Sequence, residues 1–179
     1  NDEYYVYMET YGGGSGGRAF KDGKDGVQVH ITNTSNLPVE ALESEYPLFI
    51  DRYELIPDSG GVGKFRGGMG LRRDIRILDH SSKFSAQGER FVLAPWGLFG
   101  GEAGQTGRIL LQPEKSDETY LPSKCSGVTV KAGETISIQT PGAGGYGQPK
   151  DRDKDLIEND LITAKITSAK ARVYNKIEN

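Results

Sequence analysis

The sequence predicts a mainly β protein: a sandwich or barrel of short strands, joined by glycine-rich loops and finished by a small C-terminal helical tail. Three observations carry this. Short runs such as VQVHIT and LRRDIRIL alternate apolar and polar residues, the period of two that marks a half-buried strand. Glycine and proline punctuate those runs at short intervals. The 25 glycines among 179 residues are about twice the usual ~7% share, with no strict period of the collagen kind. From Gln148-Pro149 onward the character changes, because residues 150–179 contain no glycine and are rich in charge. The expected division is a glycine-rich β domain over 1–149 and a helical tail over 150–179.

In chain order, Tyr4 to Thr10 reads as a strand that opens into the Gly/Lys/Asp loop of residues 11–26. Val27 to Thr32 alternates cleanly, with Val27, Val29 and Ile31 on one face. Pro38 can occupy the first turn of a short helix to about Glu45, and Pro47 keeps that helix short. Leu48 to Ile56 is a second strong strand. After the loop PDSGGVGKFRGGMG, the run LRRDIRIL places Leu71, Ile75 and Ile77 on one face. KFSAQG, RFVL and RILLQ read as shorter strands. VTVKAGETISI reads as a hairpin that aligns Val128 and Val130 with Ile136 and Ile138 around Ala132-Gly133. In the tail, Leu156, Ile157 and Leu161 form an apolar stripe, and Thr167 or Ser168 caps a last helix to about Asn175.

The bulk numbers narrow the function. A net charge of −3 gives no reason to expect nucleic acid. No apolar run approaches the ~20 residues that cross a bilayer. Cys125 is the only cysteine, which suits a reducing, cytoplasmic location. The chain opens without methionine inside structured-looking sequence, as a segment of something longer would.

Two runs, GGGSGG at 12–17 and GAGGYG at 142–147, fit G-x-G-x-x-G. Neither leads into an amphipathic helix, so a dinucleotide site is rejected. GVGK at 61–64 lacks the rest of a phosphate loop. His30, mid-strand on a polar face, reads first as a hydrogen-bonded structural histidine and otherwise as a metal ligand or acid–base group. His80 in LDHSSK is expected in solvent, Cys125 as an inert small hydrophobe, and Trp96 as a packing anchor. Glu9 and Thr10 stand where the first strand meets the glycine loop, so a carboxylate and a hydroxyl lie beside open backbone N–H groups. His30, Glu9 and Thr10 are therefore the catalytic candidates. Gly12, Gly13, Gly14 and Asn33 are the candidate substrate contacts, and no metal ligand set is seen.

Taken together, the stretches YMETYGGGSGGR, DGVQVHITNTSNLPVEALESEYPLFIDRYEL, DSGGVGKFRGGMGLRRDIRIL, APWGLFGGEAGQTG and AGETISIQTPGAGGYGQP resemble, in collinear order, the C-terminal part of the hydantoinase B/oxoprolinase family. The tail DRDKDLIENDLITAKITSAKARVY resembles that family's usual end. The resemblance implies a C-terminal segment or small subunit of an ATP-dependent complex acting on a cyclic amide. The alternative it implies is a subunit of an acetone- or acetophenone-type ATP-dependent ketone carboxylase, placed second because most branches of the family cleave amides. A non-catalytic β binding module is the reading of another class. The resemblance further implies that ATP and Mg enter through an A-type partner subunit, that an N-terminal B-type segment completes the site, and that the assembly is a hetero-oligomer. Many relatives carry histidine at the position of Gln28, giving an H-x-H strand of which this chain keeps only His30.

Overall fold

The computed structural model describes residues 4–29, 32 and 34–175. Helix α1, Val39–Glu45, follows Pro38, whose φ of −55° leads into the helix, and ends at Tyr46 one residue before Pro47. Seven strands follow: β1 Leu48–Leu55, β2 Leu71–Ile77, β3 Ser82–Gln87, β4 Arg108–Leu111, β5 Thr119–Leu121, β6 Lys124–Val130 and β7 Thr135–Gln139. β1, β2, β7, β4 and β5 form one antiparallel sheet in that order, and β3 and β6 form a separate two-stranded ribbon. The two sheets face each other as an open sandwich, so the barrel alternative is set aside. Leu42 of α1, Leu48, Ile50, Ile75, Ile77, Ile109, Ile136 and Val130 make its core. As the alternation in LRRDIRIL requires, Ile75 and Ile77 are buried on the same side of β2.

Three expected elements differ. Tyr4 to Thr10 is extended, with exposure that alternates residue by residue, but it belongs to no strand. Of the expected strand Val27 to Thr32, only Val27 pairs among the described residues, in a single bridge to Gly13. RFVL forms bends instead of a strand. The hairpin around Ala132-Gly133 is also corrected. The turn exists, with Gly133 at φ +79°, but β6 and β7 lie in different sheets. Val130 of β6 pairs with Ser82, whereas Ile136 of β7 pairs with Ile75 and Leu111. The turn therefore carries the chain across the sandwich.

Most of the glycines build a second packing unit beside the sandwich. Segments 12–17, 59–70, 95–104 and 142–147 run against one another at backbone contact distance. A Cβ on Gly14 would lie 2.0 Å from the carbonyl oxygen of Gly68, and one on Gly67 would lie 1.9 Å from that of Ala143. Such approach is open only to residues without a side chain. Backbone hydrogen bonds stitch the segments together: Ala143 N–H donates to Gly68 at 2.9 Å, Gly68 N–H to Ser15 at 2.8 Å and Gly17 N–H to Gly144 at 2.9 Å. The glycine-rich runs thus approach other parts of the same chain.

The tail is clamped to this unit by buried charge. Arg152 donates to Asp22 at 2.7 Å and to Asp160 at 2.6 Å, while Arg66 pairs with Asp25 at 3.0 Å and Asp160 at 3.3 Å. Burial works to raise the Asp25 pKa, but hydrogen bonds from Arg66, the Met69 N–H and Lys165 outweigh it and hold the carboxyl below its ordinary value. Helix α2, Lys154–Ile162, is capped by the Asp153 carboxylate. Helix α3, Ser168–Asn175, is capped by the Thr167 hydroxyl, which accepts from Lys170 N–H at 3.2 Å. Ile157, Ile166, Ala171 and Tyr174 pack around Val62 of the glycine-rich unit. Of the expected stripe, Ile157 is buried, Leu161 is half-buried and Leu156 is exposed.

Candidate functional site

The segment from Tyr4 to Tyr11 crosses the open side of the sandwich. Its odd-numbered residues turn inward and its even-numbered ones outward, as an extended backbone dictates. Tyr5, Tyr7, Glu9 and Tyr11 are therefore brought to one face. Thr10 falls on the other and is exposed, so the structure separates it from Glu9.

Glu9 meets Arg73 of β2. The arginine shares the inward face of Leu71, Ile75 and Ile77 and is fully buried. Its Nη1 lies 2.9 and 2.8 Å from the two carboxylate oxygens. The Leu37 N–H donates to Glu9 at 2.8 Å, and the Tyr7 hydroxyl donates to it as well. The guanidinium carbon sits 4.8 Å from the Tyr53 ring centre and 5.7 Å from that of Tyr11. A carboxylate with this many donors is neutralised and held in place. Burial, with the bond to Glu9 next in weight, pushes the Tyr7 hydroxyl up to about 12. Burial raises Tyr11 further. Both phenols therefore stay protonated and act as hydrogen-bond donors over the physiological range.

This cluster forms one end of a cleft of about 1440 Å³ between the sheets, floored by Ile75, Ile109 and Ile136 and closed on the ribbon side by Phe84 and Val130. At its rim the Tyr5 hydroxyl lies 2.5 Å from Nε2 of His80, whose Nδ1 is 3.4 Å from Asp79. His80 is thus half-buried and paired, not solvated as expected for its turn. The cleft offers an apolar floor with a few polar groups at its edge, the usual make-up of a small-molecule site. Among the described residues there is no group of three or more His, Cys, Asp or Glu placed to share a metal ion.

Gly13 and Gly14 also line this cleft, but their side-chain faces are closed by Pro141 and Gly68, and that of Gly12 by Val27 and Gln28. In the two G-x-G-x-x-G-like runs, eight of the twelve residues have their N–H groups committed to other parts of the chain. Gly14, Ser15 and Gly17 donate to Pro141, Lys24 and Gly144, while Gly142, Ala143, Gly145, Tyr146 and Gly147 donate to Gln105, Gly68, Glu102, Phe65 and Leu98. His30 and Asn33 lie outside the described residues. Cys125 is half-buried in β6.

Arg73, Tyr5, Tyr7 and Tyr11 escaped the sequence reading. A signal for them was present: an arginine at the parity of three apolar residues in LRRDIRI, and tyrosines two apart in YYVYMETY. The pairing of one with the other is a contact across 64 residues, which neither pattern contains.

A protein-family model described as Hydantoinase B/oxoprolinase matches residues 1–149. A protein named as the putative B-type subunit of a D-/L-hydantoinase, from Pseudomonas sp. (strain NS671), is 38% identical over 174 residues, which is 97% of this chain and 29% of that protein. A protein named 5-oxoprolinase, from Dictyostelium discoideum, is 39% identical over 88% of this chain and 12% of its own length. The crystal structure of the ATP-dependent caprolactamase from Pseudomonas jessenii superposes with a TM-score of 0.75 at 27% identity, covering 90% of this chain and 29% of that one. The chain thus spans less than a third of the length of these relatives.

Proposed function

The chain belongs to the hydantoinase B/oxoprolinase family, and from that premise we propose that it is the C-terminal part, or a small subunit, of an ATP-dependent enzyme that opens a cyclic amide. The observation that carries the proposal is collinear similarity over 97% of the chain to a hydantoinase B-type subunit, supported by the caprolactamase fold match. In this reading an A-type partner holds ATP and Mg, and an N-terminal B-type segment completes the catalytic site. This chain contributes the tyrosine-rich end of the cleft, whose apolar floor suits the methylenes of a small lactam and whose polar rim suits its amide group. The acid–base role of His30, a part for Thr10, and substrate contacts from Gly12, Gly13, Gly14 and Asn33 belong to the same proposal. The ion pair with Arg73 favours an anchoring role for Glu9.

Most N–H groups of the two glycine runs are committed within the chain, and neither run leads into an amphipathic helix. Both facts support placing the nucleotide elsewhere, since a phosphate cradle needs successive free N–H groups. Titration of the purified chain with ATP–Mg by calorimetry is expected to show no binding up to about the millimolar range, which corresponds to ~4 kcal/mol. A sub-millimolar dissociation constant overturns this placement.

The activity is tested on the assembled enzyme, purified with its associated polypeptides and offered hydantoins, 5-oxoproline and caprolactam with and without ATP. ATP-dependent ring opening is the expected result. ATP- and bicarbonate-dependent consumption of acetone or acetophenone instead supports the carboxylase alternative. Recovery of the chain with no larger polypeptide and no turnover supports a binding module.

A further inference from the structure

The run FVLAPWGLFGG, residues 91–101, contains no charged residue, yet much of it faces solvent. Val92 is 85% exposed, Leu93 73%, Trp96 63% and Phe99 74%. Trp96 has the size of a packing anchor, yet its indole stays largely in solvent with the Arg90 guanidinium 4.4 Å from its ring centre. Contiguous exposure of this kind on a soluble domain marks an interaction surface. Tryptophan and arginine are among the types that dominate such surfaces energetically, and phenylalanine is enriched in them.

The loop is also held rigid. Leu98 N–H donates to Gly145 and Gly147 N–H donates back to Leu98, each at 2.9 Å, and Gly104 N–H donates to Pro95 at 2.9 Å. The Trp96 carbonyl rests on Gly144, where a Cβ would come within 1.9 Å. Phe99 adopts φ +53°, a conformation that costs a bulky residue energy and persists only where its surroundings enforce it. Its ring lies 5.0 Å from that of Tyr146. The glycine-rich unit therefore fixes the loop's backbone, and Phe91 packs on the core at its base, while Val92, Leu93, Trp96 and Phe99 stay largely in solvent. A surface ordered in advance loses little entropy on docking.

We infer that the 91–99 loop is the docking surface for the B-type segment that lies outside this chain. The similar hydantoinase protein is more than three times as long as the part this chain matches. A body joined to the loop in one polypeptide or one assembly meets it at an effective concentration that a separate protein rarely reaches. The complementary face is apolar and uncharged, with a hydrogen-bond acceptor or an aromatic face placed for Arg90. The inference rests on the reading of this chain as one part of a larger B-type protein.

The test uses the assembled enzyme with a benzoylphenylalanine photo-cross-linker in place of Leu93 or, separately, Phe99, and maps the products by mass spectrometry. Cross-links from both positions to the B-type segment are expected. Cross-links to the A-type subunit or to a second copy of this chain, or none at all, overturn the inference. Leu93→Glu is the second measurement. The substituted side chain stays in solvent, so the chain's own thermal transition should hold, while recovery of the B-type segment on an affinity-tagged chain should fall ~10-fold or more. The B-type segment is supplied for this measurement as a separate polypeptide, so undiminished recovery also overturns the inference. No readout depends on turnover, so a failed amide-hydrolysis assay and a failed docking map remain separate results.

Discussion

The Gly67→Ala substitution is expected to abolish folding of the chain, although it adds a single methyl group. The new Cβ would stand 1.9 Å from the carbonyl oxygen of Ala143, 2.5 Å from its carbon and 2.8 Å from the oxygen of Gly144. A flexible side chain in the way could rotate aside, but here the obstacle is backbone. Ala143 cannot retreat alone, because its N–H donates to Gly68 and its oxygen accepts from Gly61, and Gly67 itself donates to Gly61. Forcing one extra methylene into a packed side-chain core costs ~1–3 kcal/mol. Displacing three mutually bonded segments costs more, against a total stability of roughly 5–15 kcal/mol. Gly16→Ala is the control, since a Cβ there meets nothing within 4 Å and should change stability by no more than about 0.5 kcal/mol. Soluble yield and thermal unfolding of the two variants check the pair. A Gly67→Ala chain that melts where the parent does would show that the glycine segments are not packed as described.

The same glycines mark where sequence reasoning stopped. Helix α1 and strands β1, β2 and β4 were legible because their signals are local: a proline at each end of α1, alternation in LRRDIRIL, an apolar run in RILLQ. The glycine-rich unit has no local signal beyond composition, because each close approach joins segments tens of residues apart, as between Gly14 and Gly68 or Gly67 and Ala143. Glycine density showed that something comes near the backbone and left open what. The turn at Ala132-Gly133 failed for a related reason. A turn residue between two apolar runs predicts a change of direction, and pairing of the two runs is the usual consequence. Here each run finds a better partner far away, Val130 opposite Ser82 and Ile136 opposite Ile75. Within the candidate site, Glu9 was found through its place at the end of an extended run. Its role could not be read, because that role depends on the arginine opposite it.

That dependence gives the second large effect. Arg73→Ala is expected to destabilise the chain by roughly 3–5 kcal/mol, the usual cost of removing one member of a buried ion pair. The Glu9 side chain is only 6% exposed, so the substitution leaves a carboxylate with little access to water and without its counter-charge. It also removes the surface on which the Tyr53 and Tyr11 rings rest. Replacing both partners by neutral groups of similar shape behaves differently, because the desolvation penalty disappears with the attraction. Arg73→Met combined with Glu9→Gln should therefore recover most of the lost stability, and the amide can still accept from the Leu37 N–H. Chemical denaturation of the parent, Arg73→Ala and the double variant measures this. If the double variant is no more stable than Arg73→Ala, charge is not what the pair supplies. The same double variant, carried into the assembled enzyme, separates anchoring from chemistry. An anchoring Glu9 predicts that turnover returns together with stability. A Glu9 that moves a proton predicts a stable enzyme whose turnover stays down by ~10²-fold or more, the scale on which acid–base help is lost. The carboxylate already accepts from Arg73, Leu37 and Tyr7, which leaves it poorly placed to take a proton from substrate, so the first outcome is the expected one.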